Sequence, residues 1–239
     1  MDYISLLQKE MRPAFGCTEP IALAYAAAKA ASVLDEFPHH IHARCSANII
    51  KNVKSVVIPN SGGRKGLAAA TVLGAIVGHP ERELEVLESA TDEDRKWLGT
   101  LLEANFCTVE LAEGVDNLYI EITATTDEHT AVVRIENAHT NITYVSIDGN
   151  VISETINEIK EAKSSTCPMT FDSIYEFAKA GDISGILPSI KQQVEYNTAI
   201  SNEGLSNDYG ANIGRLLLLD DETPVSYTHL RAHETRHDL

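Results

Sequence analysis

Between Cys107 and Ile152 the chain switches from helical to strand-like text, and that one block constrains the fold more than any other feature. "CTVELAE", "LYIEITATT", "TAVVRIEN" and "ITYVSI" alternate apolar with polar side chains, the period of a strand with one buried face. Asp148-Gly149 follows the fourth run as a hairpin signal. An antiparallel sheet is therefore predicted over about 107–152. Helical patterns flank it at 2–11, 20–34, 67–77 and, in an acidic stretch, about 81–104, then again at 154–163, 170–179 and 182–201. Strands gathered in one block between helical blocks predict an α+β fold rather than a βαβ repeat. "HHIHARCSANIIKN", 39–52, has mixed strand character, and "KSSTCP", 163–168, is the best candidate boundary between a region over 1–163 and a helical one over 164–224.

Charge limits the partners. Nineteen basic against 35 acidic residues give a formal charge of −16, which argues against nucleic acid and anionic membranes and favours small molecules or other proteins. No apolar run reaches the length of a membrane helix and Met1-Asp2-Tyr3 does not open a signal peptide, so a cytoplasmic protein is expected. Cys17, Cys45, Cys107 and Cys167 are widely spaced with no C-x-x-C pair, which indicates neither a zinc site nor a disulfide framework. After Pro224 the text becomes "VSYTHLRAHETRHDL", with no structural period. Val225 to Thr235 can be back-translated into what looks like a transposase-type sequencing adapter, so 225–239 is expected to be a non-native tail and its histidines not a metal site.

The first chemical candidate is "FGCTEPIALAYAAAKAAS", 15–32. Pro20 suits a first helical turn, Thr18 or Glu19 can cap it, and the Ala/Leu run propagates it. Cys17 then sits at a helix N-terminus, where N–H groups and the dipole favour a thiolate; the plainer reading is a small buried residue beside a cap.

"PNSGGRKG", 59–66, sets Gly62, Gly63 and Gly66 in a loop ahead of a helix, with Arg64 and Lys65 adding charge. Such a loop can cradle an anion, or it is an ordinary glycine turn; it fits neither a P-loop nor G-x-G-x-x-G. "ENAHTNI", 136–142, puts His139, Thr140 and Asn141 on a polar corner, and a histidine there can act as acid or base or simply occupy the turn. His40 and His42 would share a strand face as two metal ligands do, without a third nearby. "EYNTAISNEGLSNDYGANIG", 195–214, reads as a polar, glycine-bearing segment after a helix, either recognising a small ligand or only turning.

Taken together, "GCTEPIALAYAAAKA", "NIIKNVKSVVIPNSGGRKGLAAATVLGAIVG", "HTNI" followed by "IDGNVI", and "YNTAISNEGLS…YGANIG" resemble, in that order, the L-cysteine desulfidase family. This is a UPF0597-like group related to the α chain of iron-sulfur L-serine dehydratases. The resemblance runs from about residue 3 to 218. Members of that family are about twice as long, so the chain resembles their N-terminal half, truncated before the C-terminal one.

The resemblance implies a pyridoxal-free lyase. A 4Fe-4S cluster held by three cysteines, with one iron open to substrate, would convert L-cysteine to sulfide, ammonia and pyruvate. It implies Cys17 as the first cluster ligand, the other two lying beyond this sequence, and leaves Cys45, Cys107 and Cys167 structural. Glu19 and His139 are the candidate bases. Asn60, Ser61, Gly62 and Gly63 are candidates for the substrate carboxylate, and Asn141, Asn197 and Ser201 for its other polar contacts. A homodimer is compatible with it. L-serine dehydration is the alternative reaction. A non-catalytic small-ligand-binding domain is the alternative class, because one cysteine cannot hold a cluster.

Overall fold

Alanine is the best helix former, and the run after Cys17 becomes α2, Thr18–Ser32, with ten of its fifteen residues buried. Pro20 costs it nothing, since N–H groups of the first turn have no intrahelical acceptor. A helix apolar on every side belongs inside. Around it the computed structural model describes residues 2–34, 36–154, 169–209 and 211–220. Contacts divide the chain into a sheet-bearing unit, Ala14–Ile156, and a helical unit that joins Met1–Pro13 to Asn157–Asp238. The expected boundary at 163–168, residues 155–163 of the helix expected at 154–163, Cys167 and the segment after Pro224 lie outside the described residues.

The sheet-bearing unit is α+β, as expected. Its strands are β1 His40–Cys45, β2 Cys107–Leu111, β3 Tyr119–Thr125, β4 Thr130–Glu136, β5 Ile142–Ile147 and β6 Asn150–Glu154, in the spatial order β2-β1-β3-β4-β5-β6. The expectation of a purely antiparallel sheet confined to about 107–152 needs correcting. β1 enters between β2 and β3 and pairs parallel with β2, Ile41 opposite Cys107, while the other pairs are antiparallel. A parallel pair requires a long crossover, supplied here by α3 Ala47–Val53, α4 Leu67–Val77 and α5 Asp92–Glu103. The acidic helix expected over 81–104 also divides. A 3-10 turn covers Pro80–Glu85, and α5 starts where Thr91 and Asp94 cap each other reciprocally.

Alternation sorts the two sheet faces. Ile41, Ala43, Cys45, Ile120, Ile122, Ala124, Ala131, Val133 and Ile135 are fully buried, in the core that α2 and α4 share with the sheet. Each large apolar side chain buried this way contributes about 1.5–3 kcal/mol. The two helices touch closely, for a Cβ on Gly74 would collide with the Ala24 carbonyl oxygen. On the opposite face the register sets Arg44, Glu121 and Arg134 side by side. Arg44 Nη1 and Arg134 Nη2 each donate to Glu121 at 2.7 Å, and the Tyr119 hydroxyl donates to it at 2.9 Å. Burial alone would raise that carboxyl, but the donors from Arg134, Tyr119 and Arg44 outweigh it and hold Glu121 below its ordinary value.

The helical unit contains α1 Tyr3–Glu10, α6 Phe171–Ala180, α7 Leu187–Ser206 and α8 Ile213–Asp220. The Tyr3 ring stacks on Phe177 with centroids 4.9 Å apart, and Gln8 Nε2 donates to the Gly185 carbonyl at 3.2 Å. Here another expectation changes: the helix expected at 182–201 starts at Leu187 and runs on to Ser206, into the segment 195–214 read as polar and turn-prone. Asn197 donates back to the Gln193 carbonyl at 2.8 Å, so a loop-prone side chain is absorbed by the helix itself.

Candidate functional site

Cys17 is the N-cap of α2, with extended backbone at φ −63° and ψ 130°. Gly16, just before it, has φ +102°, open to glycine at little cost. A Cβ there would stand 2.7 Å from Pro59 Cγ, so the cysteine motif and the glycine loop 59–66, distant in sequence, pack together.

Three donors converge on Glu19, two residues into the same helix. Its carboxylate accepts from Cys17 Sγ at 3.2 Å, from Asn52 Nδ2 at 3.2 Å and from Thr18 Oγ1 at 3.4 Å. Thr18 Oγ1 lies equally 3.4 Å from His139 Nε2, on the turn between β4 and β5. One hydroxyl proton cannot serve both. When Thr18 donates to Glu19, its oxygen is left to accept a proton from His139. The fold thus assembles Cys17, Glu19 and His139, three residues picked out from sequence, around a threonine and an asparagine that were not. Asn52 left no local signal, being an ordinary polar position on α3; Thr18 read only as a cap.

Charge states follow from this geometry. Burial pushes Glu19 up, but the Cys17 thiol, its own backbone N–H, the His139 charge and Asn52 together hold it below its usual value. Cys17 moves the other way, up to about 11, first through burial, then through its hydrogen bond to Glu19 and the Glu19 charge. The expected thiolate is therefore corrected to a thiol in the metal-free chain. A backbone N–H at the helix end does lower the value, but a neighbouring carboxylate outweighs it. Cys45 and Cys107, each pushed up to about 12 by burial, are protonated sheet residues.

Other candidates fall into place around this centre. Asn60, with φ +56°, spends its amide on the carbonyls of Leu87 and Glu88 at 3.1 and 3.0 Å. The Ser61 hydroxyl closes the loop on Arg64, donating to its carbonyl at 3.0 Å and accepting its N–H at 2.9 Å. Gly62 and Gly63 are exposed, with φ +72° and +83°. An open cleft of about 360 Å³ is lined by Ser61, Gly62 and Arg64 from the loop and by Asp92, Arg95 and Lys96 from α5. Asn141 Nδ2 donates to the Glu136 carbonyl at 2.8 Å, bracing the turn that carries His139. Asn197 and Ser201 belong to the helical unit; the Ser201 hydroxyl is buried and lacks a partner among the described residues. His40 and His42 both bond Thr108 Oγ1, at 3.0 and 2.9 Å. Among the described residues no three His, Cys, Asp or Glu side chains converge as a metal site would require. No described helix is long and apolar enough to cross a membrane.

No family model matches the sequence, and no solved structure matches it. Curated relatives do. A "UPF0597 protein" of Lachnoclostridium phytofermentans is 41% identical over 218 residues, covering 90% of this chain and 52% of the relative. One from Finegoldia magna is 41% identical over 234 residues, covering 97% of this chain and 56% of the relative, and its alignment reaches into the segment after Pro224. "UPF0597 protein DSY1109" of Desulfitobacterium hafniense is 38% identical over 222 residues. Over most of its length the chain is thus similar to proteins named UPF0597, and it spans about half the length of the relatives it matches.

Proposed function

We propose that the chain forms part of a β-eliminating lyase that takes L-cysteine to sulfide, ammonia and pyruvate, with L-serine as the competing substrate. The observation that supports this reading is the convergence of Cys17, Glu19 and His139 through Thr18. β-Elimination needs a base for the α-proton while the C–S bond breaks and sulfur leaves with the bonding electrons. A base works best with its pKa near the working pH. Glu19, held low by its donors, suits an anchoring acceptor; His139 is the proposed mover of the proton, with Thr18 the hydroxyl between them. Asn60 and Ser61 shape the neighbouring loop, whose Gly62 and Gly63 N–H groups are the donors proposed for the substrate carboxylate.

The group implied by the family resemblance is a 4Fe-4S cluster, which would supply a Lewis-acidic iron for the leaving group. The described residues do not form a complete site for it: Cys17 is one thiol, and Cys45 and Cys107 are strand residues pushed up by burial. The remaining ligands are proposed to lie in the part of the relatives that this chain does not span. The same single thiol favours a second reading, in which the chain by itself is a small-ligand-binding domain without turnover.

The test is to extend the reading frame to the relatives' length, purify the protein without oxygen, and assay iron, sulfide and pyruvate. Sulfide with equal pyruvate from L-cysteine is expected. Pyruvate from L-serine alone would replace the desulfidase with a dehydratase, and an iron-loaded protein making neither product would leave only the binding reading.

A further inference from the structure

Although the chain carries a formal charge of −16, three of the four charged residues lining the cleft between the glycine loop and α5 are cations. Arg95 is engaged, donating to the Ala90 carbonyl at 2.9 Å and pairing with Asp92 at 3.2 Å. The Arg64 guanidinium and the Lys96 ammonium have no hydrogen-bond or ion-pair partner among the described residues. Neither do the N–H groups of Gly62 and Gly63 donate to any described acceptor. Unused amides on a positive-φ loop beside unpaired cations suit an oxyanion.

One glycine shows that a cation has been given room. Gly99 lies inside α5, where glycine is a poor helix former, and a Cβ there would come 2.7 Å from Arg64 Nη2. Its bare backbone is the seat across which the guanidinium lies.

We propose that this cleft is an oxyanion site in which Arg64, seated over Gly99, carries the charge, and that its occupant is the carboxylate of a small amino acid. Lys96 and the Gly62 N–H group complete the donors lining it, with the Gly63 N–H next along the loop. Asp92 on the same cleft has a second carboxylate oxygen to offer an α-ammonium, a counter-charge for which inorganic phosphate has no use. The inference rests on the lyase reading only for the identity of the occupant.

The experiment titrates the 239-residue chain with L-serine, sodium acetate and sodium phosphate at constant ionic strength, following the amide signals of Gly62 and Gly63 and the Nε–H of Arg64 by NMR. Saturable shifts are expected, tighter for L-serine than for acetate. R64M and G99A should each weaken them about ten-fold or more. G99A removes a helix-interior glycine, so a melting temperature at or above wild type shows that a lost response reflects a displaced guanidinium. No saturable shift, or wild-type affinity in R64M, overturns the site, and a response to phosphate alone overturns the amino-acid occupant. Failure of the lyase reading is registered separately, as missing iron or sulfide in the lengthened protein, and does not alter these titrations.

Discussion

Glu19, half-buried, and Glu121, buried, are both carboxylates held below their usual value, yet they are held in opposite ways. Glu121 is locked by two guanidiniums and a phenol across three strands. Glu19 is satisfied by a thiol, an amide and a shared hydroxyl, beside a histidine. Charged donors in fixed register make a structural clamp. Neutral donors that a ligand can replace make a site. The same direction of shift therefore carries different meanings, decided by the donors rather than by the shift.

The largest effect expected at the Glu19 centre is on turnover. In the lengthened protein, His139→Ala should lower sulfide release about 10²–10⁴-fold with an unchanged urea midpoint; near-wild-type turnover would remove His139 from the chemistry. The next sharpens the comparison directly. Glu121→Ala should cost about 2–4 kcal/mol in urea unfolding, because it removes the carboxylate that two guanidiniums share and leaves Arg44 only its longer pair with Glu110. Glu19→Ala should cost about 1 kcal/mol or less, and equal losses would erase the distinction.

The acid limb gives a smaller effect with a definite sign. The folded-state value of Glu121 is depressed, so its stabilisation is complete above the ordinary carboxyl range and is lost as pH falls through the depressed value. Stability against pH should be flatter on that limb for Glu121→Gln than for wild type, with a lesser flattening for Glu19→Gln. The smallest effect concerns the thiol of the iron-free chain. Two of the causes that raise Cys17 come from Glu19, so Glu19→Gln should lower the thiol's value and speed alkylation at pH 8. An unchanged rate would mean that burial alone holds the proton.

Much of the fold was legible locally. α4 runs over 67–77 as its apolar pattern predicts, and β2 to β6 follow the alternation after Cys107. The helix start at Cys17 was readable from Pro20 and the alanines. The last turn of α7, 202–206, was not, because Asn, Ser and Gly favour turns when judged singly. In the fold, Ser201 and Gly204 are the helix's buried residues, small side chains set on one face by three-residue spacing, and packing overrides propensity.

What the sequence determined by itself, then, is whatever depends on neighbours a few residues apart: the helix that begins beside Cys17, the strand periods and the glycine turn at 62–63. Tertiary structure decided what depends on partners brought from afar. β1 found its parallel neighbour only across a three-helix crossover. Cys17 keeps its proton first because the fold buries it and then because Glu19, to which Asn52 also donates, turns back towards it. His139 joins them from 121 residues beyond Thr18. Hydrogen bonds and charges act over a few ångströms of space, and a local pattern records only the neighbours that the chain itself supplies.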